Sequence, residues 1–484
     1  MYTVDFNKKG HIYFIGIGGV SMCSLAEVMI KKGFKVSGSD RELSANTDRL
    51  EKLGATIYQG QKAANISDDL IFAVRTAAVH PDNKEYIACE EKHIPILTRA
   101  EFFGQIMSDY KKVACVAGTH GKTTSSSMLA LVLKEANLDP TAFIGGIVNE
   151  FGSTCRIGST DMMVAEACEY TNSYHSFHPT DAVILNIEAD HLDFFKDLDD
   201  IYDSFLTFAK LVPENGNVII NGDDERLNFF KENLKCDFFT FGIANDNKEE
   251  NKYDLEARNL SEQGGIFSFD FYISDKFIAK AQKCASLSTL KKFMGRVTLG
   301  VLGKHNVSNA LTALGLGMLY GAEFEAGKEA LRKYHGTKRR FEYKGSVGSI
   351  HLYDDFGHHP TEIDVTIESG KKVTKGRCII VFQPYTYTRT NALFDDFVKI
   401  LSKADKCIIC DTFPAREEKD LEIRTAEELN DAINEAGTES CYFNTKEEIV
   451  DYILTNSEPE DLLITMGCGD IHMVAEMLVG DISE

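Results

Sequence analysis

Short apolar runs recur along this chain, and longer stretches with helical spacing separate them. Residues 11–15 form one such run, which ends at glycine-rich residues 16–19. Residues 113–117 form another, and after its glycine-rich loop the apolar positions recur every three or four residues as far as residue 136. Short apolar runs bounded by turns are typical of buried strands, and the longer period is typical of helices. The alternation predicts an α/β fold with mainly parallel sheets.

Three regions each open with a convincing strand and a glycine-rich or acidic turn, so we predict three domains. The length of 484 residues allows this number, at about 150 residues per domain. We expect a Rossmann-like domain at 1–109, a central P-loop ATPase-like parallel sheet at 110–333 and a second Rossmann-like domain at 334–484. The polar stretch 245–259 predicts a surface excursion. Other predicted strands cover residues 35–37, 161–165, 182–185, 218–220, 350–353, 378–382, 407–410 and 462–466.

Composition excludes several classes of protein. The 43% hydrophobic and 26% charged content is that of an ordinary soluble protein. The net charge of -22 opposes binding to the nucleic-acid backbone. No stretch approaches the roughly 18 apolar residues of a membrane span, and the N-terminus lacks a signal-peptide pattern. We therefore expect a cytoplasmic protein, a monomer or weak dimer, with neither a membrane nor a nucleic-acid partner.

Twelve cysteines are scattered along the chain without the spacing of a disulfide framework. The one close pair, Cys407 and Cys410, lies in an apolar run. A CxxC pair can be redox-active or bind zinc, but no second pair or nearby histidine completes a four-ligand site. We favour a structural role for both thiols in a reducing compartment.

The loop at residues 118–124, Gly-Thr-His-Gly-Lys-Thr-Thr, is the most informative segment. Between a strand end and a helix start, backbone N–H groups and the helix dipole form a cradle for phosphate. Lys122 would reach the β- and γ-phosphates of ATP, and the Thr123 hydroxyl would contact Mg²⁺. Val116 stands where a standard Walker sequence has its first glycine. A glycine-rich turn with a chance lysine is the alternative, but ATP binding is favoured.

Two later segments offer ligands for Mg²⁺. Glu166 ends a predicted strand, and residues 186–193 place acids and a histidine after another. Ligands of α/β proteins bind at the carboxyl edge of the sheet, where Mg²⁺ accepts a few oxygen ligands beside phosphate. Each acid alone could be a solvated or capping residue. Together they favour a metal site.

The first glycine cluster is a weaker signal. Gly16, Gly18 and Gly19, followed by Asp40, approach a dinucleotide fingerprint with the right distance to a ribose-binding acid. The pattern reads GxGGxxM rather than GxGxxG. A nicotinamide dinucleotide and a UDP-linked substrate therefore remain alternatives for this domain.

Six segments, in this order, resemble motifs of the Mur ligase family, and in detail those of its alanine-adding members. The resemblance covers nearly the whole chain and implies three α/β domains that use ATP and Mg²⁺. It further implies that L-alanine is joined to the carboxylate of UDP-N-acetylmuramate through an acyl phosphate, for peptidoglycan precursor synthesis. The segments are residues 118–124, 187–193, 303–310, 338–342, 353–362 and 382–390.

The resemblance also implies a role for individual residues. For ATP it implies Gly118, Thr119, His120, Gly121, Lys122, Thr123, Thr124, Asn306, Arg340, Tyr353 and Asp355. For UDP it implies Gly16, Gly18, Gly19 and Asp40, and for the amino acid His358 and Arg389. For the metal it implies Thr123, Glu166 and His191, and for catalysis Lys122, His191, Arg340 and His359.

Side-chain chemistry is compatible with these roles. The amide of Asn306 can both donate to and accept from an adenine edge. The guanidinium of Arg340 can stabilise a transferring phosphoryl group, and that of Arg389 matches a carboxylate. We expect Arg339 to be a solvated neighbour and Asn309 a polar cap. The adjacent histidines of segment 353–362, beside two aspartates, could alternatively bind a metal.

The chain departs from the family pattern at three points. Cys168 replaces a usual acid after Glu166, which leaves the role of Glu169 open. Tyr385 replaces a usual histidine, which leaves preference for alanine over glycine or serine open. The position at which some relatives carry a carbamylated lysine falls at residue 205 or 206, where this chain has no lysine, so we predict no such modification.

Three rival functions remain. A ligase that attaches a recycled murein peptide to the same sugar nucleotide would share most motifs but need a roomier pocket near Arg389. A NAD-dependent oxidoreductase would use only the first glycine cluster. A non-catalytic relative is disfavoured by the presence of Lys122, Glu166, His191 and Asp355.

Overall fold

A computed structural model of the chain describes residues 2–191, 194–244, 251–285, 287, 289–415, 417 and 423–480. Three separate sheets, each covered by helices, follow one another along the sequence. The predicted three-domain α/β architecture is confirmed. The predicted boundaries after residues 109 and 333 fall between the sheets and stay predictions. Among the described residues, no helix combines the length and apolar character that crossing a membrane requires.

The first sheet has five strands in the order β3-β2-β1-β4-β5, all parallel. Helix α4 packs so closely on the central part that a Cβ at Gly104 would lie 1.8 Å from the Ser176 carbonyl oxygen. Phe103 fills the same junction against Phe143 and Phe177. The elements are β1 His11–Ile15, α1 Val20–Lys31, β2 Lys35–Asp40, α2 Ala45–Lys52, β3 Thr56–Gln59, β4 Leu70–Arg75, α3 Lys84–Glu91, β5 Ile96–Thr98 and α4 Arg99–Met107.

The central sheet has ten strands in the order β15-β14-β13-β12-β11-β10-β6-β9-β7-β8. Strands β13 to β7 of this order are parallel, while β14 and β15 at one end and β8 at the other are joined by antiparallel pairing. The elements are β6 Lys112–Ala117, α5 Lys122–Glu135, β7 Thr141–Val148, β8 Ser153–Arg156, β9 Met162–Glu166, β10 Asp181–Ile184, α6 Leu198–Ala209, β11 Asn217–Asn221, α7 Leu227–Asn233, β12 Asp237–Ile243, β13 Leu255–Gln263, β14 Ile266–Ile273, α8 Asp275–Ala285, β15 Phe293–Leu302, α9 His305–Tyr320 and α10 Phe324–Lys333.

The third sheet has six strands in the order β16-β17-β21-β18-β19-β20, parallel except for β16. Cys407 and Cys410 are buried in β19 as free thiols, and burial raises the pKa of both. The elements are β16 Glu342–Val347, β17 Ile350–Asp355, α11 Pro360–Val373, β18 Cys378–Phe382, α12 Tyr387–Ala392, α13 Phe394–Leu401, β19 Lys406–Cys410, α14 Ala426–Glu435, β20 Ser440–Phe443, α15 Lys446–Asn456, β21 Leu462–Met466 and α16 His472–Gly480.

The surface excursion predicted for residues 245–259 is wrong for its last part. Residues 245–250 lie outside the described residues, but β13 begins at Leu255. Leu255 is fully buried under α9, and Glu256 is buried beside Arg258, with which it forms an ion pair. The polar composition of this stretch therefore led to a wrong prediction. A buried carboxylate that is paired with a guanidinium is tolerated inside a fold, so charged residues can belong to a buried strand.

Candidate active site

The loop between β6 and α5 is shaped by its two glycines. Gly118 and Gly121 have φ angles of +143° and +83°, which side chains disfavour. A Cβ at Gly121 would also lie 2.7 Å from Oδ1 of Asn309. The backbone N–H of His120 donates to Oδ1 of Asn186 at 2.7 Å. The loop is thereby fixed at the carboxyl edge of the central sheet, with the N-terminus of α5 behind it.

A cavity of about 620 Å³ opens in front of this loop. The loop forms one wall, the start of α9 a second, and residues of the third domain close the far side. The predicted ATP-binding residues in its lining are His120, Gly121, Thr123, Thr124, Asn306, Arg340, Tyr353 and Asp355.

Lys122 turns back onto the loop. Its Nζ donates to the carbonyl oxygens of Gly118 and Thr119 at 2.5 and 2.9 Å, and to Oε1 of Glu169 at 3.1 Å. Burial opposes the charge of Lys122, but Glu169, with smaller contributions from Cys168 and Glu166, outweighs that effect and holds the ammonium pKa above its ordinary value. Only 3% of the Glu169 side chain is exposed. Glu169, whose role the sequence left open, is therefore the ionic partner of the loop lysine.

Thr123 and Glu166, two of the predicted metal-contacting residues, lie side by side. Oγ1 of Thr123 donates to Oε1 of Glu166 at 3.0 Å, and the N–H of Gly145 donates to Oε2 at 2.7 Å. A Cβ at residue 145 would come within 2.6 Å of Oε1. The glycine at this position therefore leaves room for the carboxylate.

His191, the third predicted metal ligand, lies near the Lys122–Glu169 pair. Its Nε2 is 3.9 Å from Oε1 of Glu169 and 3.7 Å from Oδ2 of Asp190. Its backbone φ of +54° is in the left-handed region, and its ring packs against Tyr170. Asp193, the last acid of the predicted metal segment, lies outside the described residues.

Asparagines at the start of α9 connect the cavity to the phosphate loop. Asn306 donates from Nδ2 to the Leu302 carbonyl oxygen at 2.6 Å. Asn309 donates to Oδ1 of Asn306 at 2.8 Å and accepts from the Ser125 hydroxyl at 3.0 Å. The cap expected for Asn309 is wrong, because its amide is buried in the helix interior and joins α9 to α5.

The two arginines before β16 have different surroundings: Arg339 is held by structural contacts, and Arg340 lines the first cavity. Arg339 donates to Oδ2 of Asp354 at 3.0 Å and to the carbonyl oxygens of Gly467 and Gly469. The solvated neighbour expected for Arg339 is therefore wrong, because β17 and the loop after β21 enclose it. Arg340 faces the cavity, where burial raises the pKa of the Asp355 carboxyl to about 6 even though Arg340 lowers it.

The two adjacent histidines point in different directions. The ring of His359 lies 5.0 Å from that of His120, and burial lowers its pKa. The ring of His358 lies 6.0 Å from that of Tyr385, and burial lowers its pKa to about 4. Glu362, which the sequence left without a role, accepts from the backbone N–H of His358 at 3.0 Å and lies 3.2 Å from Nδ1 of His120.

A second cavity of about 520 Å³ lies between the central and third domains. Arg389 donates from Nη2 to Oδ1 of Asp190 at 2.9 Å, with about a tenth of each side chain exposed. Although burial opposes it, His191 and Arg389 hold the pKa of the Asp190 carboxyl well below its usual range. Tyr385 stacks on Phe413, with ring centroids 5.7 Å apart.

Three family models match the chain in order. They are the Mur ligase family catalytic domain at residues 11–111, the Mur ligase middle domain at 116–317 and the Mur ligase glutamate ligase domain at 339–469. The UDP-N-acetylmuramate–L-alanine ligase of Lachnoclostridium phytofermentans is 44% identical over 484 residues, covering 99% of this chain and 100% of that protein. The chain belongs to the Mur ligase family.

Solved structures resemble this Mur ligase over its full length. The UDP-N-acetylmuramate–alanine ligase of Thermotoga maritima is 25% identical with a TM-score of 0.78, covering 98% of this chain and 99% of that one. A murein peptide ligase from Psychrobacter arcticus is 24% identical with a TM-score of 0.70, covering 98% and 99%. The second likeness concerns the fold alone.

The first domain of this Mur ligase has a compact glycine turn after β1. The N–H of Gly18 donates to Oδ2 of Asp40 at 2.8 Å, and a Cβ there would meet the same oxygen at 2.8 Å. Gly16 has a φ of +84°, and Gly19 precedes the first residue of α1. The structure therefore brings the four predicted UDP-binding residues together at one helix N-terminus.

Sequence reasoning gave no specific role to Glu169 or Glu362, and it placed Asp190 only among the acids of the predicted metal segment. Two of these three acids had a usable signal. Asp190 falls inside segment 187–193, and Glu362 stands three residues after His359, the spacing of a capping box. Glu169 had no such signal, because its contact with Lys122 joins residues 47 positions apart.

Proposed function

We propose that this Mur ligase joins L-alanine to the carboxylate of UDP-N-acetylmuramate in an ATP-dependent reaction that releases ADP and phosphate. The observation that carries the proposal is the first cavity, where a phosphate loop faces Arg340, Tyr353 and Asp355 of the third domain. The relative that is 44% identical to this chain is named for the same reaction. A nucleotide sugar and ATP as substrates assign the reaction to the cytoplasm and to peptidoglycan precursor synthesis.

ATP would lie in the first cavity with its phosphates at the loop and its adenine at the third domain. Backbone N–H groups of the loop and the start of α5 suit the β- and γ-phosphates. The aromatic ring of Tyr353 and the amide of Asn306 suit the adenine at the other end. Lys122 would exchange Glu169 and the loop carbonyls for the phosphates, and Arg340 would add a second cation on the opposite side.

The residues present also fit Mg²⁺. Thr123 and Glu166 supply oxygen ligands that already lie 3.0 Å apart, and a hard cation prefers oxygen. His191, the third residue implied by the family resemblance, would add a nitrogen ligand. When bound, Mg²⁺ would neutralise charge on the phosphates during transfer.

The reaction proceeds in two steps, phosphorylation of the carboxylate and formation of the amide. A carboxylate oxygen of the sugar nucleotide attacks the γ-phosphorus, and ADP leaves with the electrons of the broken P–O bond. The amine of L-alanine then attacks the acyl carbon, loses a proton and expels inorganic phosphate. Lys122 and Arg340 stabilise the transferring group, and closure of the third domain keeps water from the acyl phosphate.

The amino acid would bind in the second cavity, where Arg389 offers a planar fork to its carboxylate. A murein peptide is the competing substrate. The second cavity, at about 520 Å³, has room for more than one amino acid, so the peptide is included in the assay below. The first domain would hold UDP at Gly16, Gly18, Gly19 and Asp40.

Phosphate release from ATP tests the proposal. With UDP-N-acetylmuramate present, release should depend on L-alanine and be slower with glycine, L-serine or a murein tripeptide. Lys122→Ala should abolish release, whereas Lys134→Ala, an exposed position on the same helix, should not. Faster release with the tripeptide than with L-alanine would assign the chain to peptide attachment instead.

A further inference from the structure

Asp190 lines the second cavity and has a charged or polar neighbour on each side. On one side it lies 3.7 Å from Nε2 of His191, which itself approaches the Lys122–Glu169 pair. On the other side it accepts from Arg389. Through His191, Asp190 therefore connects Arg389 to the lysine pair of the phosphate loop, where the acyl phosphate would form.

The ion pair of Asp190 and Arg389 is only partly satisfied. Within the described residues, the sole side-chain hydrogen bond of Arg389 is the one from Nη2, so Nε and Nη1 remain for a ligand. Oδ1 of Asp190 accepts from Arg389 and from the N–H of His191, whereas the contact that the described part of the chain gives Oδ2 is the one with His191 at 3.7 Å. A free donor edge and a free acceptor oxygen therefore lie side by side on the second cavity.

This pattern complements a zwitterion. An α-amino acid carries a carboxylate and an ammonium on one carbon, and each needs a buried partner of opposite charge. Arg389 was predicted for the carboxylate, whereas His358, the other residue predicted for the amino acid, is not among the residues that line this cavity. Glu417, another acid on this cavity, already accepts from the N–H groups of Tyr387 and Thr388. Among the described acids that line this cavity, Asp190 is left as the acceptor.

We propose that Asp190 binds the α-ammonium group of the incoming amino acid while Arg389 holds the α-carboxylate; the ammonium releases a proton to solvent, and the resulting amine is directed towards the acyl phosphate. The inference rests on the proposed function and adds a residue to it. A peptide substrate would use Asp190 through its N-terminal amine but would place no α-carboxylate beside that amine for Arg389.

Steady-state kinetics of phosphate release test this role. Asp190→Asn should raise the KM for L-alanine about 10- to 100-fold, the range expected for one lost charge-assisted contact, and leave the KM values for ATP and UDP-N-acetylmuramate within about threefold. Asp203→Asn, an exposed acid on α6, is the matched control and should change none of them. If Asp190 merely competed with the substrate for Arg389, the same variant would lower the KM for L-alanine, which would overturn the proposal.

Two analogues of L-alanine test the same role with the wild-type protein, so the proposal can still be tested if Asp190→Asn does not fold. L-Alaninamide has the amine without the carboxylate, and propionate has the carboxylate without the amine. Both should bind at least tenfold more weakly than L-alanine, as measured by turnover for the first and by competition with L-alanine for the second. Propionate that competes as well as L-alanine would show that no group receives the ammonium. Absence of any L-alanine-dependent release from wild type would instead refute the proposed function.

Discussion

Removal of the loop lysine should affect stability and catalysis separately. In Lys122→Met the carboxylate of Glu169, only 3% exposed, would lose its cationic partner. Breaking a buried pair by removing one partner costs about 3–5 kcal/mol, because the remaining charge is uncompensated. For a domain of about 200 residues, 3 kcal/mol corresponds to a fall of roughly 6–12 °C in unfolding temperature.

The double variant Lys122→Met with Glu169→Gln removes both charges. Its unfolding temperature should return most of the way to the wild-type value, since no uncompensated charge remains. Phosphate release should stay lost in both variants, because the phosphates still lack Lys122. Calorimetry and the release assay on the same preparations measure the two effects, with Lys134→Met as the control on α5.

The reasoning would be refuted by a double variant as unstable as Lys122→Met. That result would mean that the loop carbonyls, rather than Glu169, account for the stabilising contact of Lys122. Recovery of phosphate release in the double variant would refute the role of Lys122 at the phosphates.

Three further perturbations follow from the geometry. Gly145→Ala places a Cβ within 2.6 Å of Glu166, so the Mg²⁺ concentration for half-maximal release should rise about tenfold; an unchanged titration would contradict this. Arg339→Ala leaves Asp354 buried and unpaired, so calorimetry should show the third domain destabilised by about 3 kcal/mol. Burial lowers the pKa of His120, but Glu362 and Glu188 outweigh it and raise the pKa to about 9 from 6.5. The protonated ring of His120 therefore stabilises the folded protein. This contribution to the free energy of unfolding is complete below pH 6.5 and disappears as the pH rises through about 9. The difference in unfolding temperature between wild type and His120→Asn should shrink over this range.

Much of the fold could be predicted because the parallel strands are short apolar runs between clear turns. Residues 378–382 and 462–466 match β18 and β21 at both ends. The start of β13 was missed, because its charge pair Glu256 and Arg258 is buried and reads as surface in the sequence. The spacing of apolar residues along the chain does not show whether a charged residue will be neutralised by a partner inside the fold.

The site was predictable where its residues are close in sequence. The phosphate loop needs only neighbouring residues, so Gly118 to Thr124 could be assigned together. The partners of Lys122 and Arg389 could not, because Glu169 and Asp190 reach them across 47 and 199 positions. Such contacts depend on the sheet order and on the placement of the third domain, which no short motif specifies.

Transfer of labelled oxygen tests the central claim most directly. UDP-N-acetylmuramate labelled with ¹⁸O in its carboxylate is incubated with ATP, Mg²⁺ and L-alanine, and the released phosphate is examined by mass spectrometry. Formation of an acyl phosphate predicts one ¹⁸O atom in each phosphate and one fewer in the amide product. Phosphate without the label would mean that water, not the carboxylate, attacks ATP, and would contradict the account.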